Sequence, residues 1–379
     1  MLTIKKLGLL GVAATALMVC GPAQAETFSD TGAAVLIWPK IVVDDDTDTV
    51  VQITNQADIP SAAHCFYVNA NSRCSNTGLA CESSSECFED GFFGACLPGW
   101  LEINFDVFLT RDQPLAWSAA DGLGNSDLPC PGGIGSVCSG NGGTRVPPVG
   151  ETPFIGELKC IQSDPITRLP FPCDDAGPTD CRNDLEGSAT VETVSVTDGI
   201  DPARYNAIGL RSAGRNNGDN TLVIGGPAGQ AEYQPCSEVL VFNHLFDGAY
   251  DPISDVYTAE SELSLVPCTQ DFLIQAVPSV TAQFLVYNEF EQRFSTSRLV
   301  RCLLDSPISL IDTTQPIRSI FGSAVAGTVA GQTRITGVGG GLIGSAILNF
   351  ELTDGPSGGA GYNLNQFADR DEADFIRIP

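Results

Sequence analysis

Four aspartates fall within five residues at Asp44-Asp45-Asp46-Thr47-Asp48. Carboxylates this close repel one another unless water or a cation screens them, and calcium accepts oxygen ligands in loose geometry. The segment reads either as a calcium loop, with Asp44, Asp45, Asp46 and Asp48 as ligands, or as a solvated hairpin tip whose charges guard two strand ends. It is not an EF-hand, because Thr49 stands where that loop needs glycine and Asn55 where it needs the closing glutamate. Calcium is the one cofactor these residues suggest. Two thinner acidic sets, Asp247/Asp251/Asp255 and Asp369/Asp371/Glu372/Asp374, offer the same chemistry.

Catalytic patterns are sparse. The chain has two histidines, His64 and His244, which limits general acid–base and metal chemistry. His64 adjoins Cys65, but neighbours in a strand face opposite sides, so a sheet histidine beside a disulfide cysteine is the better reading. Gly355-Pro356-Ser357-Gly358-Gly359 matches the nucleophile-elbow pattern, yet no histidine follows residue 244, as that hydrolase order requires. Gly339, Gly341 and Gly344 match a dinucleotide-loop spacing, but a strand-like run follows instead of a helix. A glycosidase could use two carboxylates, and nothing in the spacing picks out a pair. Trp38, Trp100 and Trp117 could line a sugar site, although their strand context favours core packing.

Fourteen cysteines are present, with no C-x-x-C. That argues against zinc knuckles and thioredoxin-like redox chemistry. Cys74, Cys81, Cys87 and Cys96 lie in a segment too polar to build a core, so it must be stapled. An interlocked pairing, Cys74 with Cys87 and Cys81 with Cys96, is one of three connectivities. Cys130 with Cys138, and Cys173 with Cys181, would close small loops, and Cys236 with Cys268 would bridge strands. Cys65, Cys160 and Cys302 remain. With Cys20 in a leader the total is odd, so one thiol is free or bonded between molecules. A free one is expected to be buried and inert.

The leader is residues 1–25. Lys5 and Lys6 precede a short apolar run, Leu7 to Cys20, and Ala23-Gln24-Ala25 gives the small-x-small cleavage pattern. Leu17-Met18-Val19-Cys20 echoes a lipoprotein box, but Val19 stands where that box wants a small residue. No later stretch is long and apolar enough to span a bilayer. Cleavage would take the formal net charge from −27 to −29. Such a chain repels nucleic acid and anionic membranes, and its charge serves solubility. No N-x-S/T sequon occurs.

The elements that must position these residues are strands. Leu101, Ile103, Phe105, Val107 and Leu109 alternate with Glu102, Asn104, Asp106, Phe108 and Thr110. Similar runs cover 33–43, 49–55, 62–69, 154–161, 238–243, 257–266, 281–288, 297–303, 320–336 and 342–352. Gly, Pro, Asn and Asp clusters separate them, and no amphipathic helix of normal length is evident. The length predicts two domains, 26–228 and 229–379, divided near Gly225-Gly226-Pro227-Ala228-Gly229. The first would carry the cysteine-rich insert, 71–98, and a Gly/Pro-rich loop, 122–153. Strands at short spacing predict two β-sandwiches.

The stretch QITNQADIPSAAHCFYV, residues 52–68, resembles the hairpin of bacterial immunoglobulin-like modules. CSNTGLACESSSECFEDGFFGAC, residues 74–96, resembles short cysteine-rich repeats of secreted bacterial surface proteins. The whole resembles secreted bacterial proteins of no assigned function. The resemblance implies an all-β, immunoglobulin-like fold with a stapled insert. The expected function is a non-catalytic exported structural or interaction protein, secreted, on the cell surface or in the periplasm. Its partner would be a protein or glycan, and edge strands would allow self-association. The alternatives are a calcium-dependent binding module and, last, a secreted carboxylate hydrolase.

Overall fold

In a computed structural model, the described residues are 31–379 apart from 82, 90, 124–144, 165, 167–168, 171–180, 196–198, 215–216, 228, 255, 313–317 and 353–357. The leader, Cys130, Cys138, Cys173, Asp255 and most of the 122–153 loop fall outside them.

The strands form five main sheets. The first runs Ile208–Leu210, Val35–Val43, Phe154–Ser163, Ser61–Asn69, Leu101–Leu109. The second runs Gly199–Asn206, Leu185–Ser195, Thr47–Asn55, Pro114–Ser118. The third joins Thr221–Ile224 to Asp374–Arg377, and that strand in turn to Gln270–Asp271 in a parallel pairing. The fourth runs Arg293–Arg301, Ser279–Asn288, Ala330–Val338, Ser237–Leu245, Asn365–Asp369. The fifth runs Leu304–Pro307, Thr258–Pro267, Leu342–Glu351, Gly358–Asn363. Helix among the described residues is limited to Ser323–Ala326 and a 3-10 turn, Ile308–Leu310. No described helix is long and apolar enough to cross a membrane.

The expected pair of immunoglobulin-like sandwich domains is therefore corrected. The fold is all-β, but its small sheets are arranged like the five blades of a β-propeller. Burial shows where the expectation failed. A sandwich strand alternates between core and solvent, as Ser279–Asn288 does, with Val280, Ala282, Phe284 and Val286 inside. The central strands of the first sheet are instead buried on both faces. Leu36, Trp38, Tyr67 and Leu158 join a core shared with Val51, Ile53, Ala189 and Val191 of the second sheet. Val35, Ile37, Phe66, Val68 and Ile161 point the other way, into a core with Leu222, Ile224 and Ile376 of the third sheet and Val266 and Ile343 of the fifth. That second core draws on both halves of the sequence. A third core lies between the fourth and fifth sheets, around Phe242, Leu263, Leu265 and Phe284.

Four disulfides lie wholly among the described residues. Cys65 and Cys160 are direct cross-strand neighbours in the first sheet. Cys236–Cys268 links the segment entering the fourth sheet to the end of Thr258–Pro267. Cys74–Cys87 and Cys81–Cys96 interlock in the insert. Cys181 is also disulfide-bonded. Cys302 is the free, buried thiol among the described residues, and burial pushes its ionisation well above the ordinary thiol range.

Candidate functional site

The insert is built almost without apolar interior. Its core cluster is the cysteines themselves, Cys74, Cys81 and Cys87 with Cys96 packed against them. Two minimal ladders shape it, Arg73–Cys74 on Cys96–Leu97 and Phe88–Glu89 on Phe92–Phe93. The second turns through Gly91, whose φ of 85° suits only glycine well. The Asn76 amide donates to the Cys87 carbonyl at 3.0 Å and pins the inside of the loop.

A charged contact anchors the insert to the body. The Arg73 guanidinium meets Glu151 at 2.6 Å, and Asn69 and Asn71 donate to the same carboxylate oxygen. Partial burial opposes ionisation of Glu151, but the hydrogen bonds from Arg73 and Asn71 win and hold its carboxyl below the usual range.

With the cysteines inside, the large apolar side chains of the insert face solvent. Phe93 is 82% exposed, Phe92 74% and Leu79 66%, with Phe88 and Leu97 also exposed. The Phe88 and Phe93 rings pack on each other, centroids 4.6 Å apart. The exposed aromatic cluster stands on a cross-linked platform that leaves little loop freedom to lose on ordering. Glu86 and Glu89 flank it.

A second feature is a polar cavity of about 290 Å³ lined by Lys40, Asp44, Thr193, Asp201, Glu262 and Asp305, among others. Lys40 reaches it through a bulge. Trp38 pairs with Leu158 and Ile41 with Gly156, so Pro39 and Lys40 together oppose the single residue Glu157. Proline lacks the N–H a ladder needs and suits such a site. The Tyr205 hydroxyl lies against both backbone groups of Lys40, accepting from its N–H at 3.2 Å and donating to its carbonyl. The Lys40 ammonium is buried and lies 2.9 and 2.8 Å from the two oxygens of Asp305 and 2.9 Å from Glu262. Ser264 stands opposite Asp305 in the fifth sheet and donates to it. Glu262 shares the face of Ser264 two residues earlier. Burial lowers the Lys40 ionisation, but Asp305 and Glu262 outweigh it and the net shift is upward. For Glu262, burial and then the Asp305 charge raise the carboxyl against the pull of Lys40. One cation between two enclosed carboxylates favours a proton on one acid.

The acidic hairpin is not gathered around a centre. Asp44 Oδ1 accepts from the N–H groups of Asp46 and Thr47. Asp48 turns inward, where it accepts from Thr49, Ala120 and Ser118. The described sets of three ligand-type side chains within 4.8 Å are Cys74/Cys81/Cys87 and Cys236/Cys268/Asp374, whose cysteines are already in disulfides. Of the other acids, Asp247 accepts from the N–H groups of Ser261 and Ser309, and Asp251 caps a turn through Ile253 and Ser254. Asp374 accepts from Thr269 and Gly341, while Arg370 pairs with Glu372. Asp369 ends a strand and Asp371 is exposed.

The remaining candidates have structural partners. His64 Nδ1 lies 2.7 Å from Asp106, and its neighbour Cys65 is in a disulfide. His244 is buried with Nε2 2.8 Å from the Thr333 hydroxyl, and burial lowers its pKa from 6.5 to about 4. Trp38 and Trp117 are core residues, and Trp100 packs on Phe272. Sequence reasoning missed Lys40, Glu262 and Asp305 altogether. The one local signal was a lysine in the middle of the apolar run VLIWPKIVV.

No family model matches the chain, and no curated protein matches it.

Proposed function

We propose that this is a non-catalytic exported interaction protein whose disulfide-stapled insert docks a partner protein. The observation that carries this reading is the cluster Leu79, Phe88, Phe92 and Phe93, held in water on a platform closed by Cys74–Cys87 and Cys81–Cys96. Disulfides persist in oxidising compartments, which agrees with the leader-like residues 1–25 and with secretion, surface display or a periplasmic location. The flanking acids Glu86 and Glu89 favour a partner with an apolar recess rimmed by basic residues.

The test is Phe92→Ser with Phe93→Ser, two exposed positions whose change leaves the core intact. Photo-crosslinking from residue 93 on intact cells should label a defined extracellular protein. A partner so identified should bind the purified wild type and lose roughly 2 kcal/mol or more with the double variant. Equal affinity for both would move the interface elsewhere. Turnover of a glycan, ester or peptide that disappears with Glu262→Gln would replace the reading by an enzymatic one.

A further inference from the structure

Lys40 and Asp305 lie 265 residues apart in the chain, yet one ammonium and one carboxylate meet within hydrogen-bond distance at the buried end of a partly open polar pocket, with Glu262 touching the same nitrogen. The side chains of Lys40 and Asp305 are 5% and 4% exposed, and that of Glu262 is 27% exposed. An amine and a carboxyl held at contact have an effective concentration far above any in solution, on the order of 10⁵ M or more for well-oriented groups. Burial of the Lys40 and Asp305 side chains limits the water that would drive the reverse hydrolysis. An adjacent carboxylic acid supplies a proton relay.

We infer that Lys40 and Asp305 condense into an intramolecular amide, Lys40 Nζ to Asp305 Cγ, with Glu262 carrying the protons. The step begins with transfer of the ammonium proton to the Asp305 carboxyl, by way of Glu262. The neutral amine then attacks Cγ of the uncharged acid, and rotation of the carboxyl about Cβ–Cγ presents its face to the nitrogen. The N–C bond forms, the nitrogen gives its second proton to Glu262, and Glu262 returns it to the departing hydroxyl. The C–O bond breaks and one water leaves. Ammonium plus carboxylate become amide plus water, so no oxidant, nucleotide or metal is needed. Ser264 Oγ, hydrogen-bonded to Asp305, holds the acid in place. The product joins the first sheet to the fifth covalently and converts a cavity holding three charges into one holding fewer. The second buried pair, Glu157 with Lys159 at 3.1 Å, lies two residues apart on one strand and would close nothing of consequence.

The experiment is intact mass spectrometry of the purified full chain after reduction and denaturation, followed by peptide mapping. The wild type should be lighter than its sequence by one water, with a fragment joining the Lys40 and Asp305 peptides. Asp305→Asn should be lighter by one ammonia, because the leaving group changes. Lys40→Arg should keep full mass. Glu262→Gln preserves size and hydrogen bonding, and should keep full mass while the fold survives. A wild-type chain at full mass with no joined peptide overturns the inference and leaves an ion pair. A water deficit that persists in Lys40→Arg also overturns it, since it would mark ring closure of Asp305 onto the following Ser306 amide.

Discussion

The cysteine-rich insert and the central strands of the first sheet solve the same problem in opposite ways. In the insert, cross-links take the interior and the aromatic rings face water. In the first sheet, Val35–Val43, Phe154–Ser163 and Ser61–Asn69 are buried on both faces and hold charged groups such as Lys40, Glu157 and Lys159 inside. A segment closed by disulfides is released from having to bury its apolar side chains, and those side chains become available for a partner. A segment with two apolar cores can enclose charge, because its surroundings are rigid enough to keep every charged group paired.

The comparison is broken hardest in the core. Phe66 is fully buried and stacks on Phe272 with centroids 4.0 Å apart. Phe66→Ala should cost about 4 kcal/mol in urea unfolding, against about zero for Phe93→Ser. A loss below about 1 kcal/mol for Phe66→Ala would mean that the second face of the first sheet carries no core.

A pH series sharpens the contrast between buried and exposed regions. His244 holds no proton in the folded chain until about pH 4, whereas it takes one at its ordinary value of 6.5 when unfolded. Its contribution is therefore full above 6.5 and is lost as pH falls from there towards about 4, amounting to roughly 3 kcal/mol. The difference in stability between wild type and His244→Gln should change with that slope and be flat above it. A pH-independent difference would place the imidazole in water.

The smallest global effect belongs to the insert. Cys81→Ser with Cys96→Ser removes a link that constrains a loop of about 15 residues, worth about 3 kcal/mol to the insert alone. Amide hydrogen exchange should rise across 74–96 while the melting temperature of the body moves by only a few degrees. A large fall in that temperature would show that the insert props up the first sheet through Arg73 and Glu151.

The strands were legible where one face is wet. Residues 101–110 alternate cleanly and form the edge strand Leu101–Leu109. The insert was legible because its composition leaves only cysteines to hold it, although spacing alone did not single out its pairing. Leu185–Ser195 escaped notice, since Glu186, Ser188, Thr190 and Glu192 make it polar and its inward residues, Ala189 and Val191, are small. The distribution of strands among sheets was not legible either. Period-two alternation reports that one side is buried, and the unbroken apolar run Val35–Trp38 reports two buried sides without naming what covers them. Likewise, Lys40 in that run announced a buried charge, but its partners lie more than 200 residues away with no local mark.

The third sheet sets an order of events for the growing chain. Asp374–Arg377 lies between Thr221–Ile224 and Gln270–Asp271, so these two strands cannot be joined into one sheet until residues 374–377 exist. During synthesis Leu222, Ile224 and Phe272 lack the cover of Ile376 until that residue is made. A seam that closes late leaves apolar surface and an unpaired strand edge exposed for longer, which is the condition that favours aggregation over folding.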